Sequence, residues 1–194
     1  PTGPPVLAFT DLVSGPRGAF VTVWGTNLGT IPGALTVGGV APQVLYWGQA
    51  TPPGCGPANL ANTYQKLQCI VFKLDPSTPI GVQALVATVG GTASSSLPFT
   101  VAAVGQVLIH SDPLTLGAAM DAMSAGDILY LRAGTYRNAW PGYVSQTAGT
   151  SAVVAYPLEP VTVGLPDAAS FEPSHSGSGY RVTYSKLALY GTGT

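Results

Sequence analysis

Over its first hundred positions the chain alternates short apolar runs with turn residues. Leu7–Phe9, Ala19–Trp24, Leu35–Val37, Gln43–Trp47, Cys69–Leu74, Val82–Val89 and Phe99–Val101 predict seven strands. Ser14-Gly15-Pro16, Gly38-Gly39, Asp75-Pro76 and Gly90-Gly91 separate them as turns. Alternation within Val21-Thr22-Val23-Trp24 points the two valines into a core and Thr22 and Trp24 outward. From Val104 the pattern changes. Gln106–Ile109 predicts a strand, and Ser111-Asp112-Pro113 predicts a capped helix start. Leu116, Met120 and Met123 then share one helical face, with the helix ending at Ala125-Gly126. Further strands follow at Ile128–Leu131, Val153–Tyr156, Val161–Val163, Val182–Tyr184 and Leu187–Tyr190. Leu129 and Leu131 are expected inward and Tyr130 outward.

Composition supports an all-β reading and removes several functions. The chain has 194 residues with 25 Gly and 18 Pro, and its 46% apolar content is ample for a core. Only 8% of residues are charged and the net charge is −1, so no basic stripe exists to hold nucleic acid. No apolar run is long enough to insert into a membrane as a helix. The chain opens at Pro1 without a leader, which reads as a mature or trimmed form of an exported protein. Cys55 and Cys69 bracket a Gly-, Asn- and Ala-rich insert within Gly48–Gln68. A bond between them closes a loop of about 15 residues, worth roughly 3 kcal/mol, and suits an oxidising compartment.

Two resemblances sharpen the domain assignment. Ser14-Gly15-Pro16-Arg17-Gly18, Val21-Thr22-Val23-Trp24-Gly25-Thr26-Asn27-Leu28-Gly29, Val37-Gly38-Gly39 and Leu97-Pro98-Phe99-Thr100-Val101 resemble an IPT/TIG domain. That likeness implies an immunoglobulin-like β-sandwich over residues 1–102, used in its family as a spacer, interaction or dimerising module. The Gly48–Gln68 insert departs from the family pattern. The run Gly126-Asp127-Ile128-Leu129-Tyr130-Leu131-Arg132-Ala133-Gly134-Thr135-Tyr136, with Val153–Tyr156 and Val161–Val163, resembles the pectate-lyase-like superfamily, in particular its chondroitinase and alginate-lyase group. That likeness implies a short, helix-capped right-handed parallel β-helix segment over residues 103–194, in an extracellular, polysaccharide-related setting. The cap covers the apolar end of the solenoid.

Candidate chemistry is sparse. No motif matches the catalytic positions of β-helix lyases, so no catalytic residue is assigned. No Cys/His spacing suits a metal, and no cofactor is implied. Arg181 and Lys186 read as surface cations, and His110 and His175 as structural or merely polar. Asp127 reads as a carboxylate that bonds backbone N–H groups at its turn. The aromatics Trp24, Tyr46, Trp47, Tyr64, Trp140 and Tyr143 are candidates for a contact surface that stacks on sugar or meets a protein. Val182, Tyr184, Leu187, Leu189 and Tyr190 form a candidate assembly edge, since the final coil leaves apolar side chains and strand groups in need of cover.

The sequence therefore reads as a non-enzymatic extracellular or cell-surface structural subunit that self-associates into a filament or higher oligomer. The alternatives are the N-terminal, non-catalytic part of a secreted polysaccharide lyase, with its active site outside these residues, and a polysaccharide-binding module.

Overall fold

A computed structural model of the chain describes residues 3–136, 149–164 and 180–189. The chain is mostly β and divides into two compact units, Pro1–Ala103 and Val104–Thr194.

The first unit holds two sheets. One is antiparallel, with β1 (Val6–Thr10), β3 (Phe20–Thr26), β6 (Gln68–Lys73) and β5 (Gln43–Gln49) in that order. The other runs β2 (Ser14–Pro16), β9 (Leu97–Ala102), β7 (Gly81–Val89), β4 (Ala34–Val37), with β8 (Thr92–Ala93) turned back on β7. All its pairs are antiparallel except the parallel β2–β9 pair. Each of the seven expected strands is present, and β2 and β8 are additional.

Register explains the core. Val21 pairs with Phe72 and Val23 with Ile70, which places the four on one face of the sheet. All four are fully buried, as are Val37, Leu85, Ala87 and Val101 of the second sheet. Thr22 pairs with Val71 and Trp24 with Cys69, on the opposite face. The close approach of β1 to β3 at Gly25 admits no side chain, since a Cβ there would sit 2.1 Å from the Val6 carbonyl oxygen.

The second unit is a parallel stack. One sheet runs β10 (Val107–His110), β11 (Ile128–Leu131), β13 (Gly149–Ala155), β15 (Tyr180–Ser185). The other runs β12 (Gly134–Tyr136), β14 (Val161–Val163), β16 (Ala188–Leu189). Parallel register builds files of side chains, Leu108–Leu129–Val153–Tyr184 in one sheet and Tyr136–Val163–Leu189 in the other. Leu129, Leu131, Tyr136, Val153, Ala155, Val161 and Val163 form one buried cluster with Leu116, Met120 and Met123.

Two expectations are corrected here. The helix α1 spans only Leu116–Asp121, not the whole stretch from Ser111 to Ala125. The Asp112 carboxylate accepts hydrogen bonds from the Leu114 N–H and the Thr115 hydroxyl and holds those residues as a turn. At the other end the Asp127 carboxylate takes the Ser124 N–H. Such local side-chain bonds compete with helix propagation. Tyr130 does lie on the face opposite Leu129 and Leu131, but it is fully buried, its ring edge-on to Tyr156 at 6.4 Å.

Candidate functional site

In the first unit the residues of interest gather around the cysteine insert. Cys55 and Cys69 are disulfide-bonded and no free cysteine remains. The insert folds over the outer face of the β1–β3–β6–β5 sheet, where Ala50, Cys55, Cys69 and Val71 pack on Trp24. Trp24 is therefore buried, only 5% exposed, and its ring stacks on Phe9 at 5.1 Å. Trp24 thus lies on the outer face of the sheet but is shielded by the insert, which corrects its candidacy for a contact surface. Alternation gives its face properly, but the insert replaces solvent on that face. The Trp24 indole N–H has no hydrogen-bond partner among the described residues.

The other candidates separate. Trp47 is buried and donates its indole N–H to the Leu28 carbonyl at 2.9 Å, which removes it from any contact surface. It pairs with Ile70 and so shares the core face, whereas Tyr46 pairs with Val71 on the covered face. Tyr46 is half-buried against Gly48 and Gly54 and donates to the Gln49 carbonyl. Among the described candidates Tyr64 alone stands out into solvent, 94% exposed. Trp140 and Tyr143 lie outside the described residues.

Between the insert and the β3–β4 connection lies a cleft of ≈ 580 Å³, lined by Thr26, Asn27, Gly29, Gln49, Ala61, Lys66 and Gln68. Sequence reasoning missed it. Its residues come from three strand ends (Thr26, Gln49 and Gln68), the β3–β4 connection and the insert, and the only sequence signal is the amide-rich character of the insert. Asn27 and Lys66 both adopt positive φ, 57° and 51°. The Gln68 side-chain oxygen accepts the Leu28 and Gly29 N–H groups at 2.7 and 3.2 Å, which fixes that side chain.

In the second unit the polar groups are structural ties. Asp127 is buried and accepts the Gln106 N–H at 2.8 Å and the Ser124 N–H at 2.7 Å, closing the Ser124–Asp127 turn and tying it to the start of β10. Arg132 donates to both oxygens of Glu159, its guanidinium 4.6 Å from the Tyr156 ring centre. Glu159 also accepts the Ala133 N–H. The hydrogen bond from Arg132 holds the Glu159 carboxyl below its usual range, and Glu159 in turn raises the Arg132 value. The His110 Nε2–H meets the Asp112 carbonyl at 2.7 Å, and the Tyr136 hydroxyl donates to the Arg132 carbonyl at 2.9 Å. Burial pushes the Tyr136 hydroxyl up as well. His175 lies outside the described residues. No group of three His, Cys, Asp or Glu side chains suited to a metal occurs among the described residues.

The candidate assembly edge is graded. Val182, Tyr184 and Leu187 are half-buried against the cluster, and Leu189 is 48% exposed. Burial pushes the Tyr184 hydroxyl up to about 12. Lys186, in the turn between β15 and β16, is half-buried with φ 58°. Tyr190 and the Arg181 side chain lie outside what is described.

No family model matches the chain, and no curated protein matches it in sequence. Among solved structures it is similar to a γ-CGTase from alkalophilic Bacillus clarkii, at 20% identity and a TM-score of 0.40. That likeness covers 56% of this chain and 14% of the other.

Proposed function

We propose that the chain is a non-enzymatic extracellular structural module: an immunoglobulin-like unit of the IPT/TIG kind followed by the cap and first coils of a right-handed parallel β-helix. In this reading it assembles through the last of those coils. The observation that carries the reading is the gradient of burial along the parallel stack. Leu131, Val153 and Val163 are at most 1% exposed, while in the last described coil Val182 and Tyr184 are half-buried and Leu189 is 48% exposed. A parallel stack buries each coil with the next, and among the described residues no later strand covers this one. An open strand edge beside an apolar row templates pairing with another chain. A contact of that end with a different surface of a second copy extends into a filament or closes into a ring.

The setting is supported by the Cys55–Cys69 bond, which suits an oxidising compartment. No helix among the described residues is long and apolar enough to cross a membrane. A second reading, the non-catalytic N-terminal part of a polysaccharide lyase, draws on the same gradient, with further coils of one chain as the cover.

Light scattering and electron microscopy of the purified chain separate the two. Assembly predicts oligomers at micromolar concentration, with residues 180–189 protected from protease. A stable monomer in which that segment is cleaved first overturns assembly and favours the second reading.

A further inference from the structure

We infer that the cleft beside the cysteine insert binds a saccharide bearing a carboxylate, with Lys66 as its anion partner and Tyr64 as its stacking face. The inference is independent of assembly, since every residue it uses lies in the first unit.

The cleft is of ligand size, ≈ 580 Å³, and its lining is polar in a particular way. Its lining residues carry three side-chain amides (Asn27, Gln49 and Gln68), one hydroxyl (Thr26) and one ammonium (Lys66), with no carboxylate and no large apolar side chain. The fixed bonds show which atoms remain for a ligand. The Gln68 oxygen is taken by two backbone N–H groups, so its amide nitrogen is left as a donor. The Asn27 amide nitrogen donates to the Pro4 carbonyl, so its oxygen is left as an acceptor. A donor, an acceptor and a two-way hydroxyl suit a polyhydroxylated ligand, because each sugar hydroxyl both gives and receives. The single cation selects for an acidic sugar over a neutral one.

Tyr64 is not part of the lining but stands two residues before Lys66 on the same insert. The Asn62 side chain accepts the Tyr64 and Gln65 N–H groups, and the Lys66 N–H bonds the Asn62 carbonyl, so one tight turn carries both the aromatic ring and the cation. That ring is 94% exposed and presents an apolar face with a polar tip. Asn27 and Lys66 both stand in left-handed backbone, a conformation that persists where the surroundings hold it and that concentrates at ligand sites. The Cys55–Cys69 bond and the packing of Leu60 and Leu67 hold the insert in place, which lowers the ordering cost of binding.

The test is an amide NMR titration of the full chain with a galacturonate oligosaccharide. A neutral gluco-oligosaccharide of equal length and inorganic sulfate are the comparison arms. Saturable shifts at Asn27, Gln49, Ala61, Lys66 and Gln68 are expected, with the neutral sugar several-fold weaker. Lys66→Gln should weaken binding about tenfold or more, as loss of a charge-assisted hydrogen bond requires, and Lys66→Arg should restore most of it. Tyr64→Ala should weaken binding several-fold, and the same spectra report whether each variant is folded. Equal affinity for the neutral sugar overturns the inference. So do shifts confined to the second unit, affinity unchanged in both Lys66→Gln and Tyr64→Ala, or sulfate that reproduces the whole pattern of shifts.

Discussion

The two units bury similar side chains but close their cores by different means. In the first, two sheets contribute inner faces, and one outer face is covered again by the insert that the Cys55–Cys69 bond pins down. Ile70, Phe72, Leu85 and Val101 are all fully buried, with no gradient from strand to strand. In the second, Leu116 and Met120 of helix α1 pack into one cluster with side chains of both parallel sheets. Burial falls off at Val182–Leu189, the last of the described strands. A core closed by facing sheets is complete in itself. A core built by stacking is as complete as its last neighbour, and its stability is a sum of neighbour terms.

The largest expected effect tests that contrast directly. Phe72→Ala in the first unit and Leu131→Ala in the second both empty a fully buried site, and each should cost about 3–5 kcal/mol. Leu187→Ala, in the half-buried last coil, should cost about 1 kcal/mol in the isolated chain. If Leu187→Ala costs as much as Leu131→Ala in chemical denaturation of a monomeric sample, the stack is already sealed and the contrast fails.

Next in size is the pin on the insert. Replacing Cys55 and Cys69 with alanine should destabilise the first unit by roughly 3 kcal/mol, the value for a loop of about 15 residues. The second unit has no cysteine, so reductant should leave hydrogen exchange at Leu129 and Val153 unchanged. Thiol labelling of denatured, unreduced protein should find no free cysteine.

The insert also marks the limit of what the sequence discloses. Strand positions follow from period-two patterning and turn residues, so all seven expected strands of the first unit occur where placed. The faces of Val21, Thr22, Val23 and Trp24 follow from the same period. Period does not say what lies on a face. An insert that begins only at Gly48 covers Trp24, and Tyr156 meets Tyr130, and neither contact has a local signal. The helix is shorter than its spacing predicts because the Asp112 carboxylate holds the Leu114 N–H and the Thr115 hydroxyl in a turn, whereas the Asp127 carboxylate bonds backbone N–H groups as its place at the turn implies. Met120 and Met123 are buried as their spacing implies, although Met123 lies past the helix end. The cleft was illegible because Asn27, Gln49 and Lys66 converge only after the sheet and the insert are both in place.

A smaller effect separates the two buried tryptophans of the first unit. Trp47→Phe leaves the Leu28 carbonyl without its donor and should cost about 1–3 kcal/mol. Trp24→Phe removes an indole N–H that has no partner among the described residues, so only lost packing remains and the cost should stay below about 1.5 kcal/mol. Urea midpoints of the two variants decide the order. A reversed order would mean that the contact of Trp24 with the insert contributes more than its ring area suggests.

The smallest effect belongs to the tie between coils in the second unit, Arg132 with Glu159. The pair is partly solvated, with the Arg132 side chain 47% exposed and that of Glu159 21% exposed, so most of its Coulomb attraction is screened. Glu159→Gln should lower Tm by about 1–3 °C at neutral pH. The pH dependence is the sharper readout. The Arg132 hydrogen bond, together with the Ala133 N–H, holds the folded Glu159 carboxyl below its ordinary value of 4.5. The folded state therefore binds that proton less readily than the unfolded chain does. The resulting stability is fully present above the ordinary value and is lost as pH falls through the depressed one. Glu159→Gln should flatten this part of the acid slope while leaving the neutral-pH fold intact. An unchanged slope between about pH 5 and pH 3 would show that the tie adds nothing to the stack, and that the coils are held by their apolar files alone.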